Sequence, residues 1–335
     1  MQATIRIPGF QSGPQPTMKI LGVHLDPKLK WGPHIRKTTE RATAQIAAVT
    51  RLAYSTWGAA FSKARQIYTA VVRPTMAYGS PIWYDRADLR IGRNKSIYPL
   101  QVAQNQCLRA IAGAYRTTAT AELEHETGTE PLDIFLERTA REYSKKTATA
   151  TTSAIIDQAR QQVAEQARTQ HNARHDGYAQ RRQELQRISQ HHREGEQDAT
   201  PRVAALELWS TRWETHQRET QAAHKTTRRH LATATRVEFH PRLDRLRTRL
   251  GKAENTIATL LRTEHIGLND YLHRRKVPGY ESPACVCGFA RQTPKHIVLF
   301  CPRFERDRDK MTRAAGTQDY HEMLTTEKGL RAVTA

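Results

Sequence analysis

The stretch from Cys285 to Cys301 constrains this chain most, because seventeen residues hold three of its four cysteines together with His296. Thiolates and a neutral imidazole are the ligands of a tetrahedral Zn²⁺ site, and the pattern C-x-C-x₈-H-x₄-C closes all four positions within one short segment. The spacing predicts one structural Zn²⁺ held by Cys285, Cys287, His296 and Cys301. Pro283 and Gly288 suit the tight turn that brings two sulfurs to one metal, while Ile297, Val298, Leu299 and Phe300 carry His296 and Cys301 on an apolar turn. A gap of one residue between the first two cysteines is shorter than usual, so buried, reduced thiols are the competing reading. A disulfide is disfavoured where no secretory signal is read.

At 335 residues the chain has room for two or three domains, yet only 38% of it is hydrophobic, so its core must be small or divided. Lys and Arg number 53 against 33 Asp and Glu, a formal charge of +20 that suits polyphosphate partners. Nucleic acid, RNA or DNA or both, is the expected partner. No apolar run approaches eighteen residues and no signal-peptide pattern follows Met1, so a nuclear or cytoplasmic protein, neither secreted nor in a membrane, is expected.

Periodicity predicts a mainly α fold. The proline- and glycine-rich start holds two β-type runs, Thr4–Ile7 and Met18–Leu25, which read as one small hairpin within residues 1–32. Helical spacing begins at Pro33, with Ile35, Ala42, Ile46, Val49 and Leu52 or Ala53 on one face. A second helix runs roughly from Ser62 to Val72 and is expected to stop at Arg73-Pro74, and a third spans Ile97–Ala112. Residues 33–142 therefore read as a helical domain. From Met18 to Arg116 there are sixteen Lys and Arg against four acids, and from Arg41 to Tyr84 there are no acids at all. Core packing is the favoured role for Trp31, Tyr68, Tyr78 and Trp83, with base stacking as the alternative.

The polar segment 143–240 offers few large apolar side chains, among them Ile155, Ile156, Val163, Tyr178, Leu185 and Ile188. It reads as long, weakly packed helices or partly disordered linker, broken at Gly177 and between Gly195 and Pro201. His191-His192 reads as solvated. Leu206, Trp209 and Trp213 sit at helical spacing suited to docking on another helix. Residues 241–305 form the helical approach to the Cys/His segment, and the charged tail 306–335 is expected to fray.

The order Lys19-Ile-Leu-Gly-Val-His-Leu-Asp26, Trp31-Gly-Pro-His34, Leu52, Trp57-Gly58, Ile67-Tyr68, Val71-Val-Arg-Pro74, Tyr78-Gly79 and Trp83 resembles non-LTR (LINE-type) retrotransposon polyproteins of filamentous fungi. The likeness continues through Leu100-Gln101, Gln106, Leu108-Arg109, Ile111–Thr118 and Glu130-Pro131-Leu132. It resumes at Leu261-Arg262-Thr263, Gly267-Leu268 and Tyr271-Leu272 before the cysteines. The resemblance implies the region downstream of a reverse-transcriptase palm, where a primer-grip-like hairpin leads into a helical thumb, followed by a C-terminal zinc knuckle. Such polymerases hold two Mg²⁺ through an aromatic-x-Asp-Asp hairpin. No Asp-Asp pair occurs in this sequence, and Asp26 and Asp85 match no catalytic position. The expectation is a truncated reverse-transcriptase protein that binds nucleic acid without a polymerase centre and has no catalytic residues of its own. Alternatives are the thumb half of a split RNA-directed DNA polymerase, with a separate polymerase chain as partner, and an inert relic. The expected nucleic-acid face comprises Lys28, Lys30, Arg36, Lys37, Arg41, Arg51, Lys63, Arg65 and Arg73, with an ordinary solvated face as the bland reading.

Overall fold

The computed structural model describes residues 5–7, 10–12, 16–53, 57–84, 97–147, 200–226 and 238–335. Helices dominate, as the periodicities predict, and the described strands form two short antiparallel ribbons. β1 (Ile5–Ile7) pairs with β2 (Phe10–Ser12), and β3 (Met18–Ile20) pairs with β4 (Val23–Leu25). Met18–Leu25 was expected to pair with the first run, but it folds back on itself. Leu21 and Gly22 both take positive φ, 46° and 85°, the geometry a two-residue hairpin turn requires. Closing so short a loop costs less entropy than joining two distant runs. Asp85, His191-His192 and the sparse apolar residues from Ile155 to Ile188 lie outside the described residues.

The chain divides into two compact units. One comprises Met1–His34, Ala77–Tyr98 and Leu132–Trp209; the other comprises Ile35–Met76, Pro99–Pro131 and Ser210–Ala335.

In the first unit the aromatic block is a structural hub. The Tyr78 hydroxyl donates to the Leu21 carbonyl at 2.7 Å, and the Trp83 indole N–H donates to the Tyr78 carbonyl at 2.7 Å. α4 (Ser80–Trp83) starts at Gly79, and Trp83 is buried with its ring 5.5 Å from that of His34. Tyr84 donates to the Asp133 carbonyl at 3.1 Å, at the start of α7 (Leu132–Thr147). Core packing thus accounts for Trp83, whereas Tyr78 is 53% exposed and serves as a strut to the hairpin.

The second unit is built on helices. α1 (Gly32–Leu52) buries Ile35, Ala42, Ile46 and Val49, with Ala53 just beyond its end, and turns Leu52 outward. α2 (Phe61–Ile67) does not stop at Pro74. It passes through a π turn, Tyr68–Val72, into α3 (Arg73–Ala77). Proline lacks an N–H and its ring crowds the carbonyl four residues back, so a wider turn lets the helix continue past it. That turn buries Tyr68, which donates to Gln104 Oε1 at 2.5 Å in α5 (Tyr98–Ala112). α5 ends at Gly113, whose φ is 66° and where an added Cβ would lie 2.3 Å from Thr256 Oγ1. From the following helix, Lys252–Arg262, the Lys252 ammonium donates to the Ile111 carbonyl at 3.0 Å and so caps the end of α5.

A buried ionic cluster joins distant segments of this unit. Glu126, the last residue of α6 (Thr120–Glu126), accepts from Arg247 and from Arg262 Nε at 2.9 Å. Arg247 also donates to Thr259 Oγ1 at 2.7 Å, and Arg262 to the Leu324 carbonyl. Beside it, His125 stacks on Trp213 with ring centroids 4.0 Å apart and accepts the His240 N–H at 3.1 Å. Trp213 lies on the Pro201–Thr226 helix, where Trp209 is also buried and Leu206 half-buried. The residues after Arg303 do not fray. They form helices Glu305–Ala315, Tyr320–Thr325 and Glu327–Thr334, and Tyr320, Met323, Leu324 and Leu330 share a core with Leu250, Leu261 and Val298. The charges of the tail sit on the outer faces of helices whose inner faces are apolar.

Candidate metal centre and basic surface

The four ligand-type residues converge. The three Sγ atoms and one ring nitrogen of Cys285, Cys287, His296 and Cys301 all lie within 4.8 Å of one another. Cys285 and Cys301 have their sulfurs 3.9 Å apart, and Cys287 Sγ is 3.3 Å from His296 Nε2. A tetrahedral ion with metal–sulfur bonds of about 2.3 Å needs sulfur–sulfur edges of about 3.8 Å, so the spacing fits one ion.

Local backbone chemistry explains the convergence. Val286 and Cys287 are the two central residues of a turn that begins at Cys285; it brings both sulfurs to one site and leaves Val286 outside, 71% exposed. The turn closes through the Gly288 N–H to the Cys285 carbonyl at 2.9 Å and the Cys285 N–H to the Phe289 carbonyl at 2.9 Å. Gly288 has a φ of 93°, which glycine adopts without strain. On the other side Thr293 caps the Pro294–Leu299 helix by accepting the His296 N–H at 3.2 Å. The His296 carbonyl then accepts the N–H groups of both Phe300 and Cys301, at 2.9 and 2.8 Å, which curls Cys301 back beside the imidazole. His296 faces the sulfurs while Val298, about 200° round the helix, enters the hydrophobic core.

The electrostatics suit a cation ligand set. Burial, with Arg308 nearby, holds His296 below its ordinary pKa and keeps its nitrogen lone pair available. The Phe289 ring lies parallel to the imidazole, centroids 4.4 Å apart, and fixes its plane. The segment is also fastened to the Asn269–Arg274 helix: Asn269 donates to the Ala284 carbonyl at 2.8 Å, and Arg291 pairs with Asp270 at 2.6 Å. The Thr293-Pro294 cap is visible in the sequence as a helix-start signal. Phe289 and the Asp270–Arg291 tether carry no such signal.

The nine basic residues do not share one environment. Within α1, about 100° per residue places Arg36, Arg51, Lys37 and Arg41 in an arc of roughly 140°, opposite the buried Ile35, Thr38, Ala42, Ile46 and Val49. All four are exposed, as is Lys63, and Lys37 pairs with Glu40 at 3.0 Å. Lys28 and Lys30 are exposed on a loop whose N–H groups converge on Asp26. Partial burial opposes ionisation of that carboxyl, but the donors Lys30, Trp31 and Lys28 hold it below its ordinary pKa. Arg65 and Arg73 turn inward. Arg65 donates to the Thr127 and Gly128 carbonyls and pairs with Asp244 at 3.3 Å, while Arg73 pairs with Glu130 at 3.1 Å.

Comparison with known proteins places these features in context. The chain is 25% identical over 298 residues to a retrovirus-related Pol polyprotein from type-1 retrotransposable element R1 4 of Nasonia vitripennis, covering 88% of the chain and 62% of that protein. Its relatives are retrotransposon proteins. A putative 115 kDa protein in the type-1 retrotransposable element R1DM of Drosophila melanogaster is 27% identical over 143 residues, 43% of the chain and 14% of the relative. A probable RNA-directed DNA polymerase from transposon BS of the same fly is 32% identical over 93 residues, 28% of the chain and 10% of the relative. The chain thus spans from a tenth to about three fifths of the length of these relatives. No protein-family model and no solved structure matches it. Among the described residues no helix is long and apolar enough to cross a membrane.

Proposed function

We propose that this chain is the nucleic-acid-holding part of a non-LTR retrotransposon protein, corresponding to the thumb-like and C-terminal knuckle regions of the filamentous-fungal type. It grips the phosphate backbone through α1 and carries one structural Zn²⁺. The observation that carries the reading is the exposed basic strip of α1, set opposite a buried stripe in a chain whose relatives include an RNA-directed DNA polymerase. Phosphate contacts position a nucleic acid without reading its sequence, so binding is sequence-tolerant.

Zn²⁺ bound by Cys285, Cys287, His296 and Cys301 would supply cross-linking and no reaction chemistry, since four protein ligands leave no open position. The chain's own residues do the remaining work. Thr293 and Phe289 orient the imidazole, and Asn269 and Asp270 anchor the segment. Lys28, Lys30, Arg36, Lys37, Arg41, Arg51 and Lys63 supply the cations. Arg65 and Arg73 are committed to Thr127, Gly128, Asp244 and Glu130 and are not among the proposed phosphate contacts. The test compares duplex binding by the wild type and by a variant with Arg36, Lys37, Arg41 and Arg51 changed to Gln, at several salt concentrations. The proposal requires a weaker affinity and a shallower salt dependence in the variant; identical curves would exclude α1 as the binding surface.

A further inference from the structure

A second exposed surface combines charge with aromatic rings. The loop after α5, residues 113–118, lies against the Asn269–Arg274 helix. Tyr115 and Tyr271 have ring centroids 5.6 Å apart, and the Thr117 hydroxyl and the Tyr271 hydroxyl are 2.6 Å apart. His265 backs this contact, its Nδ1 3.1 Å from Thr118 Oγ1. Tyr271 is buried, but Tyr115 covers it and is 38% exposed.

Cations surround this ring pair. The Arg274 and Arg275 guanidinium carbons lie 5.8 and 5.6 Å from the Tyr271 centroid. Arg274 shares Asp270 with Arg291 and is neutralised. Arg116, Arg275 and Lys276 are exposed and form no ion pair among the described residues. The nearby carboxyls are committed elsewhere. The Glu122 carboxylate accepts the Ala119 N–H at 3.3 Å, and burial pushes Glu264 up to about 7, so it is only partly ionised near neutrality. The surface is therefore a half-exposed tyrosine ring, with three exposed cations that form no ion pair among the described residues on the two segments that meet there.

We propose that this junction is a contact site for single-stranded nucleic acid, with one base stacked on Tyr115 and the flanking phosphates held by Arg116, Arg275 and Lys276. An aromatic face takes any unpaired base, while a base inside a duplex already has both faces covered. Charge complementarity favours a polyanion over an acidic helix, because the cations lie around a ring face and not along an apolar groove. The proposal rests on the nucleic-acid reading above and adds to it the kind of strand and the residues that meet it.

The test uses the full chain, a fluorescent oligothymidylate as single strand and a mixed-sequence duplex, read by anisotropy. Tyr115→Ala, and separately a variant combining Arg116→Gln, Arg275→Gln and Lys276→Gln, should each weaken the single strand roughly tenfold or more and change duplex affinity less than about twofold. Tyr115→Phe keeps the ring and should bind like wild type, which separates stacking from a folding defect. If wild-type protein binds neither probe, the nucleic-acid reading itself fails. If it binds both and the junction variants match wild type, or lose both probes equally, that reading stands and the single-strand site is overturned.

Discussion

Glu126 shows how much one carboxylate can hold. It is buried between Arg247 and Arg262, so its removal leaves two guanidinium groups in the interior with no counter-charge. Breaking such a cluster from one side costs about 3–5 kcal/mol, because the desolvated charge that remains has lost its partner. Glu126→Gln should lower unfolding free energy by that order in urea titration, whereas Glu130→Gln, at a more accessible pair, should cost less. The neighbouring His125 makes a pH prediction. Burial, with Arg262 and Arg247 close by, depresses its pKa to about 3 from the ordinary 6.5. The folded protein keeps this imidazole neutral while the unfolded chain takes up the proton. Its contribution is therefore complete above about pH 6.5 and is lost as pH falls towards 3, by up to about 1.4 kcal/mol per pH unit. His125→Gln keeps an acceptor for the His240 N–H but cannot titrate. Its stability should fall less between pH 7 and pH 4.5 than that of wild type, and equal slopes would refute this role. None of these partnerships is visible in the sequence, since Glu126 and Arg262 stand 136 residues apart with no spacing rule to connect them.

At the scale of elements, what could be read in advance was whatever repeats locally. The buried stripe of α1 and the ligand-type residues from Cys285 to Cys301 each lie within one short run, so periodicity and spacing were enough to expect the stripe and the convergence of the four side chains. Pairing of Met18–Leu25 with itself, continuation past Pro74, and the folded tail escaped because each depends on a backbone detail or on partners far along the chain. The end of α5 is a case where such a partner sets the geometry. Gly113 combines a positive φ with close packing on Thr256, so Gly113→Ala should destabilise by about 2 kcal/mol or more in thermal or chemical unfolding. Adding Thr256→Ala removes the clash but not the backbone strain, and should recover only part of the loss. The Cys285–Cys301 segment gives an element-scale prediction of its own. If Zn²⁺ is bound, removing it with a chelator should expose the amides of the 285–289 turn to hydrogen exchange and leave α1 protected, because Val286 and Phe289 are exposed and bury little there, whereas Val298 anchors the following helix in the core. Absence of stoichiometric zinc in protein purified without chelator would sink the proposal.

At the scale of the whole molecule, a charge of +20 makes salt the governing variable. On duplex DNA the log–log slope is about −0.9 per phosphate neutralised, so roughly five engaged side chains imply a loss on the order of a few hundredfold for a fourfold rise in salt. The α1 variant should flatten that slope by several units, measured by anisotropy across the same salt series. Composition and charge are grounds for the proposed nucleic-acid partner, but no pattern along the chain foretold that two of the nine expected cations, Arg65 and Arg73, would be spent on internal partners.

The two compact units interleave along the chain, and this sets an order of events during synthesis. Glu126 emerges from the ribosome well before Arg247 and Arg262, and Thr117 before Tyr271, 154 residues later. At about 5–20 residues per second, Glu126 waits roughly 7–27 seconds for Arg262. Throughout that interval α6 and the end of α5 stand without the Lys252–Arg262 helix that meets them. Neither unit can be released intact by a single cut, so a fragment ending before residue 240 would leave that wait unfinished.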